Sequence, residues 1–390
     1  VSERERTIKW GASVALATRF DGVVERRRGR AIGYAVRRLD GPRVRFAAGT
    51  GPVDLAGFPP EGDGPAVPPL PGTWGSFAPP EGCALPSPAL LEETARGLAN
   101  ALRDRSRGRV KLAAALLEAG AAWHRLENSA GARVEWGASL FSAGLHLETP
   151  GGPLDLPLAR RGLHGFRPEE CLEALEPYFH LPLPEEPAPA GRFPAAWFPF
   201  VGAFVAARLG RRLLEGAAPP RLPPGFALAD DPIHPQGLAW APVDGEGRRT
   251  RLWRAGETPP ADTVTARRLG TPATGHAVRV SIFHPPCTGF HNLHFTGPDT
   301  RPAGADDGLC LTLPLRMDWH GGGKFTLFAQ AFRFRGGVPE TFLPCVRVRS
   351  SVGDCLASLA GCRPPVHFFP LEGSAGAPLL FFKGLNFVPW

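Results

Sequence analysis

No stretch of the sequence approaches about 18 consecutive apolar residues, so no membrane-spanning helix is expected. The opening residues, VSERERTIKW, are charged and have no apolar segment behind them, which argues against a secretory signal. Residue 1 is Val, and a processed or trimmed start is expected. The seven cysteines include no Cys-x-x-Cys pair and sit mostly in apolar surroundings. That pattern speaks against a disulfide framework and for buried thiols in a reducing, cytoplasmic compartment. No Gly-x-Ser-x-Gly elbow is present, so a serine hydrolase has no specific support. Repeats of solenoid or propeller period are also absent. Lys is scarce: only four of the 44 basic residues are Lys, and the rest are Arg.

The net charge of +7 raises the question of nucleic acid. The arginines are densest at residues 25–30 and 37–38, where they alternate with apolar residues as on the wet face of a strand. Nucleic-acid modules interleave basic residues with aromatics or Gly motifs on one face. A solvated basic surface is therefore expected, and nucleic acid is not expected as a partner.

A chain of 390 residues with 43% hydrophobic content suits two domains. The 45 prolines and 48 glycines predict many short elements and turns. Residues 10–18 and 31–38 alternate as strands, with Asp21-Gly22 as turn chemistry and a third short strand at 43–48. Residues 50–88 are Pro/Gly-dense and read as an irregular excursion, which either gates a site or covers a sheet edge. Ser87 and Pro88 suit the start of a helix over PALLEETARGLANALRD. Alternating segments follow at 109–126, 132–148 and 153–160, with the turn Asn128-Ser129-Ala130-Gly131 between the first two. A short helix is expected from Arg167 to about Phe179, then a Pro-rich connector at 181–194. This places the boundary between an N-terminal α/β domain, 1–185, and a β-rich C-terminal domain, 186–390. Residues 195–215 predict one helix, or two abutting near Pro199. Beyond it strands are expected at 226–229, 250–255, 263–268, 277–283, 292–296, 309–316, 324–335, 343–349 and 378–388, with a short helix at 352–360.

His284, Cys287, His291 and His294 form the tightest set of candidate metal ligands, since zinc accepts Cys and His at short spacings. His291 and His294 are three apart in an expected strand, however, where odd separations point to opposite faces. Gly321-Gly322-Gly323-Lys324 is followed by Phe325 and an alternating strand, so it reads as a hairpin turn and not a phosphate loop. Asp230, Asp231, Asp244 and Glu246 form an acidic set that shapes turns, holds a cation or acts in acid–base chemistry, and turn formation is the expected role.

Several stretches, taken in order, resemble the TldD/PmbA family, two-subunit peptidases also known as gyrase modulators. They are FALADDPIHP at 226–235, VDGEGRRTRLWRAGE at 243–257, TVTARRLGTPATGHAVR at 263–279, HPPCTGFHNLHFTGPD at 284–299 and GKFTLFAQAFRFRGGVPE at 323–340. TRFDGVVERRRGRAIGYAVRR and the turn at 127–131 resemble the family's first domain more loosely. The resemblance implies an α+β fold: an N-terminal α/β domain followed by a barrel-like C-terminal domain.

In catalytic TldD-type members a helix before the Asp-Asp segment carries His-Glu-x-x-x-His, whose histidines hold zinc, and a late cysteine completes the site. The matching stretch here, AAWFPFVGAFVAARLGRRLLE, has no His and only Glu215 at its far end. The last cysteine, Cys362, falls early for the family's ligand. The resemblance therefore implies a TldE-like, metal-free component of a metallopeptidase, with no cofactor and no catalytic residue of its own. Zinc is expected in a TldD-like partner subunit, and unfolded peptide is the expected substrate. Asp244, Glu246, Thr274, Gly275, His276 and Asn292 lie in the most family-like loops and are expected to line the shared cleft. Two alternatives are an independent hydrolase using His284, Cys287, His291 and His294, and a peptide-binding scaffold module.

Overall fold

A computed structural model describes residues 3–19, 22–40, 43–50, 61–63, 74–77, 84–128, 133–163, 172–187, 189–262, 265–266, 270–279, 281 and 284–389. Two large sheets organise the chain. The first takes its strands from the N-terminal part: β1 (Glu3–Arg19), β2 (Gly22–Asp40), β3 (Arg43–Gly49), β4 (Glu61–Asp63), β5 (Trp74–Phe77), β6 (Lys111–Asn128), β7 (Arg133–Thr149) and β8 (Gly152–Arg160). Their order is β4-β3-β2-β1-β6-β7-β5, with β8 also on β7. All pairs are antiparallel except β5 with β7.

Alternation along these strands gives the sheet two different faces. Leu16 stands opposite Leu117, and Leu117 opposite Ala143, so one row of apolar side chains crosses three strands. Helix α1 (Pro88–Ser106) covers this face through Leu91, Leu98 and Leu102, each wholly buried and each contributing about 1.5–3 kcal/mol. The helix starts where the sequence predicts: the Ser87 hydroxyl accepts from Leu90 N at 3.2 Å and Pro88 opens the first turn. The other face carries Lys9, His124 and Trp136 in one row, because Lys9 pairs with His124 and His124 with Trp136.

The second sheet is built from β9 (Gly191–Trp197), β10 (Ala227–Asp230), β11 (Trp253–Arg254), β14 (Leu293–Thr296), β15 (Gly308–His320), β16 (Lys324–Arg335), β17 (Val338–Ser351), β18 (Leu359–Phe369) and β19 (Ala375–Phe387). β9 pairs with both β15 and β19, which closes a five-stranded barrel in the order β9-β15-β16-β17-β19. β14, β10 and β11 extend outward from β19. A separate two-stranded ribbon joins β12 (Ala277–Val278) to β13 (Cys287–Thr288). Helix α2 (Pro199–Leu214) lies against β19 and β14, and a short helix α3 (Val352–Ala357) precedes β18.

A mostly β chain with few helices and a closed barrel fits the expected α+β class and its barrel-like second part. Four local expectations are corrected. Ala195–Trp197 are strand and not helix, because they bridge β15 and β19 at the barrel seam. Thr265 and Ala266 are in a helical turn capped by Asp262, not in a strand. Glu173–His180 form a 3-10 helix with Pro177 inside it. β18 appears where no strand is predicted, since Pro364 and Pro365 interrupt its alternation. The turn at 129–131 and most of 50–88 lie outside the described residues.

The two sheets share a core. Tyr178 of the 3-10 helix packs edge-on to Phe332 of β16 at 5.1 Å, and its hydroxyl meets Gln330 at 2.7 Å and Thr312 at 3.0 Å. Phe342 and Phe369 join the same cluster as Leu98 and Leu145.

Candidate functional site

A cavity of about 580 Å³ lies between the Lys9–His124–Trp136 face of the first sheet and loops of the second half. Its sheet side is nearly bare: Gly11, Ala122 and Ala138 form one row, with Ser13 and Gly120 in the next. The opposing wall includes Val243, Gly245, Arg279, Trp240 and His291. Val243 anchors this wall by packing on Leu126, Val134 and Trp136.

Behind the wall lies a buried polar layer. Asp230 ends β10, and its carboxylate accepts from His291 N at 2.9 Å and from Asn292 N at 2.5 Å. His276 Nε2 and His291 Nδ1 stand 3.5 and 3.6 Å from Asp230 Oδ2. Burial opposes ionisation of Asp230, but hydrogen bonds and charge from His291, with His276 beside it, hold its carboxyl below the ordinary value. His276 is pushed down to about 4, chiefly by burial, so it is neutral near pH 7. Its Nδ1 lies 3.1 Å from both the carbonyl and the hydroxyl of Thr274.

The Asp-Gly-Glu-Gly loop is organised by Asp244, which accepts from Glu246 N and Arg248 N, each at 2.9 Å, and from Ala277 N at 3.2 Å. Burial first, then the neighbouring Glu246 charge, raise the Asp244 carboxyl to about 7. Glu246 itself receives Arg37 Nη1 at 2.9 Å. Asn292 clamps the preceding loop: its side-chain amide donates to the carbonyls of Asp231 (2.8 Å) and Ala239 (3.0 Å) and accepts from Ala239 N (2.9 Å). Gly275 adopts φ 76°, and a Cβ there would stand 2.4 Å from the Arg249 carbonyl oxygen, so only glycine fits.

The six residues expected to line a cleft thus lie close together, but their side chains hold the loops. Thr274 shows the same pattern, its hydroxyl accepting from Ala261 N at 2.8 Å. The surfaces that face the cavity belong to their neighbours Val243, Gly245, Ala277 and His291. Lys9, His124, Trp136 and Arg279 complete the site, and sequence reasoning singled out none of them. Sheet register is what assembles the first three, and no local motif announces it.

The four candidate metal ligands go separate ways. His291 faces Asp230, and His294 Nδ1 meets the Asn292 carbonyl at 2.8 Å while its ring packs on His234 and Phe368. His284 pairs with Ser281 at 2.8 Å, and Cys287 points its thiol to the Val278 carbonyl. No group of three or more His, Cys, Asp or Glu among the described residues is placed to hold a metal ion.

Residues 210–388 match the family described as the PmbA/TldA metallopeptidase C-terminal domain. This second part of the chain is therefore a C-terminal domain of PmbA/TldA type, and over the whole length the likeness is one of fold. Solved structures share its fold over nearly the whole length. TldE from Thermococcus kodakarensis superposes with a TM-score of 0.81 at 18% identity, covering 99% of this chain and 96% of that one. A candidate modulator of a DNA gyrase from Thermotoga maritima gives 0.69 at 15% identity, covering 99% and 96%. A candidate modulator of DNA gyrase from Bacteroides thetaiotaomicron gives 0.66 at 13% identity, covering 100% and 95%. No curated protein matches the sequence.

Within the TldD/PmbA fold, α2 is the helix that precedes the Asp230-Asp231 segment. It contains no His, Cys, Asp or Glu. Its inner side is packed to contact: a Cβ at Gly202 would stand 2.5 Å from Ala377 Cβ, and one at Gly210 would stand 2.4 Å from Leu293 Cδ2. This helix therefore offers neither donors nor room for a zinc ion. Cys362 is buried, and its thiol lies 3.3 Å from the Pro298 carbonyl.

Proposed function

We propose that this chain is the non-catalytic, TldE-like subunit of a heterodimeric zinc metallopeptidase that processes or degrades unfolded peptides. The carrying observation is helix α2, donor-free and closed against β19 where catalytic relatives bear His-Glu-x-x-x-His. The zinc, and the activated water it supplies, belong in this reading to a partner chain. This chain would contribute surface: loops that wall the cavity, and strand edges to which an extended peptide can add. It would also order the catalytic half through the shared interface.

A cytoplasmic location is part of the proposal. The buried, unpaired thiols of Cys310 and Cys355 support it, since such thiols persist in reducing compartments. Among the described residues, no helix is long and apolar enough to cross a membrane.

The test is reconstitution. The purified chain should carry substoichiometric zinc and show no peptidase activity. Activity on an unfolded peptide should appear when a family member with the His-Glu-x-x-x-His helix is added. Tightly bound zinc at one per chain, or hydrolysis by the chain alone that chelators abolish, would overturn the proposal.

A further inference from the structure

The cavity between the two halves has a one-sided charge. Lys9, Arg30 and Arg279 line it together with His124 and His291, Arg30 from a strand position that alternates away from the Lys9 face, and no Asp or Glu is among the described residues that line it. The carboxylates nearby are already engaged behind the wall: Asp230 with the amides of His291 and Asn292, Asp244 with three backbone amides, Glu246 with Arg37. Lys9 has no hydrogen-bond or ion-pair partner among the described residues, although burial already costs its charged form. Among the described residues nothing else matches this half-buried cation, which leaves water or an anionic ligand.

We propose that this cavity binds the C-terminal carboxylate of an extended peptide, with Lys9 as its counter-ion. This rests on reading the chain as a peptide-handling subunit. The sheet side of the cavity, with nothing larger than Ala or Ser at Gly11, Ser13, Gly120, Ala122 and Ala138, leaves room for a chain beside the strands. Trp136 and Trp240 offer apolar walls for its last side chains. His124 lies flat on Trp136, 4.8 Å between centroids and 9° between planes, and so presents its edge beside Lys9. The same cations could serve a free phosphate. Arg279, however, already donates Nε to the Gly245 carbonyl and Nη1 to the His284 carbonyl, so it offers no open fork of the kind phosphate favours. A lysine point charge with a neutral imidazole suits a single carboxylate better.

Calorimetric titration of the full chain decides it. The probes are an N-acetylated Ala-Phe-Ala-Ala peptide as free acid, the same peptide as C-terminal amide, and inorganic phosphate. The acid is expected to bind about tenfold or more tighter than the amide. Lys9→Met keeps the aliphatic stem and should bring the two peptides within about twofold of each other, while Lys9→Arg, the charge-preserving control for folding, should keep the preference. Equal binding of acid and amide by the unaltered chain, absence of binding by both, or a preference that survives Lys9→Met would overturn the inference. So would phosphate displacing the acid peptide at lower concentration than acetate does, which marks a general oxyanion site. The outcome is separate from reconstituted peptidase activity: selective binding without activity removes the subunit reading and keeps this one, and the reverse result does the opposite.

Discussion

Arg37 of β2 donates Nη1 to Glu246 Oε1 at 2.9 Å across 209 positions of sequence, with both side chains almost wholly out of solvent. This pair rivets the Asp-Gly-Glu-Gly loop of the second half to the first sheet. A buried pair gains little over apolar packing but is costly to break from one side, since the remaining charge stays buried. Glu246→Gln should therefore destabilise the chain by about 3–5 kcal/mol, and Arg37→Met with Glu246→Leu should cost distinctly less. Urea midpoints of both variants check this; equal costs would refute the one-sided penalty.

Stability should respond to Asp244 as pH rises. Its folded pKa, about 7, lies above the ordinary carboxyl value of 3.8, so its contribution is fully present below pH 3.8 and is lost as pH climbs through 7. Between pH 4 and 8 the stability of Asp244→Asn relative to the unaltered chain should improve by a few kcal/mol, to order of magnitude. A pH-independent difference in chemical denaturation would exclude the shift.

The opposite sign holds for the buried imidazoles. Burial, with the charges of Lys9 and Arg279, lowers His124 to about 3, and burial lowers His276 to about 4. Their contribution is present above pH 6.5 and lost as pH falls from 6.5 toward 4 and below. Replacing His124 with Phe, which keeps a ring on Trp136, should flatten the acid limb of a melting-temperature profile. An unchanged limb would mean that His124 protonates freely in the folded chain.

Asn292→Ala removes the clamp on residues 231–239 and leaves the Ala239 amide and two carbonyls without their partner. A cost of about 1–3 kcal/mol is expected. Amide exchange should quicken at 231–241 more than in β16, and uniform quickening would show that Asn292 has no local role.

Packing of α2 is tested at Gly202. Gly202→Ala inserts a methyl 2.5 Å from Ala377 Cβ and should cost about 1–3 kcal/mol, with Ala377→Gly restoring part of it. Full stability in the single variant would mean that the helix has room to move, and with it room for a ligand-bearing side chain.

Local chemistry makes much of the fold legible in the sequence. The Ser87-Pro88 cap, the alternation of residues 324–335 and the apolar stretch of α2 each carry their own structure in a short window. β18 was hidden because Pro364 and Pro365 disrupt its period, and the strand at Ala195–Trp197 exists only because two barrel partners claim it. The site divides the same way. Asp230, Asp244, Glu246 and His276 stand in recognisable loops, and His124 meets Trp136 across a single hairpin, but Lys9 joins them only through pairing between β1 and β6, more than 100 residues apart in sequence. Such pairing leaves no local mark.

The cluster that joins Leu98 and Leu145 to Phe332, Phe342 and Phe369 has a consequence for how the protein can be cut. A fragment ending at residue 185 would carry the Tyr178 ring and its polar hydroxyl without the wall they rest on, and the complementary fragment would expose an aromatic patch to water. The two sheets thus share one buried cluster, and a cut along the apparent seam is expected to destabilise both pieces.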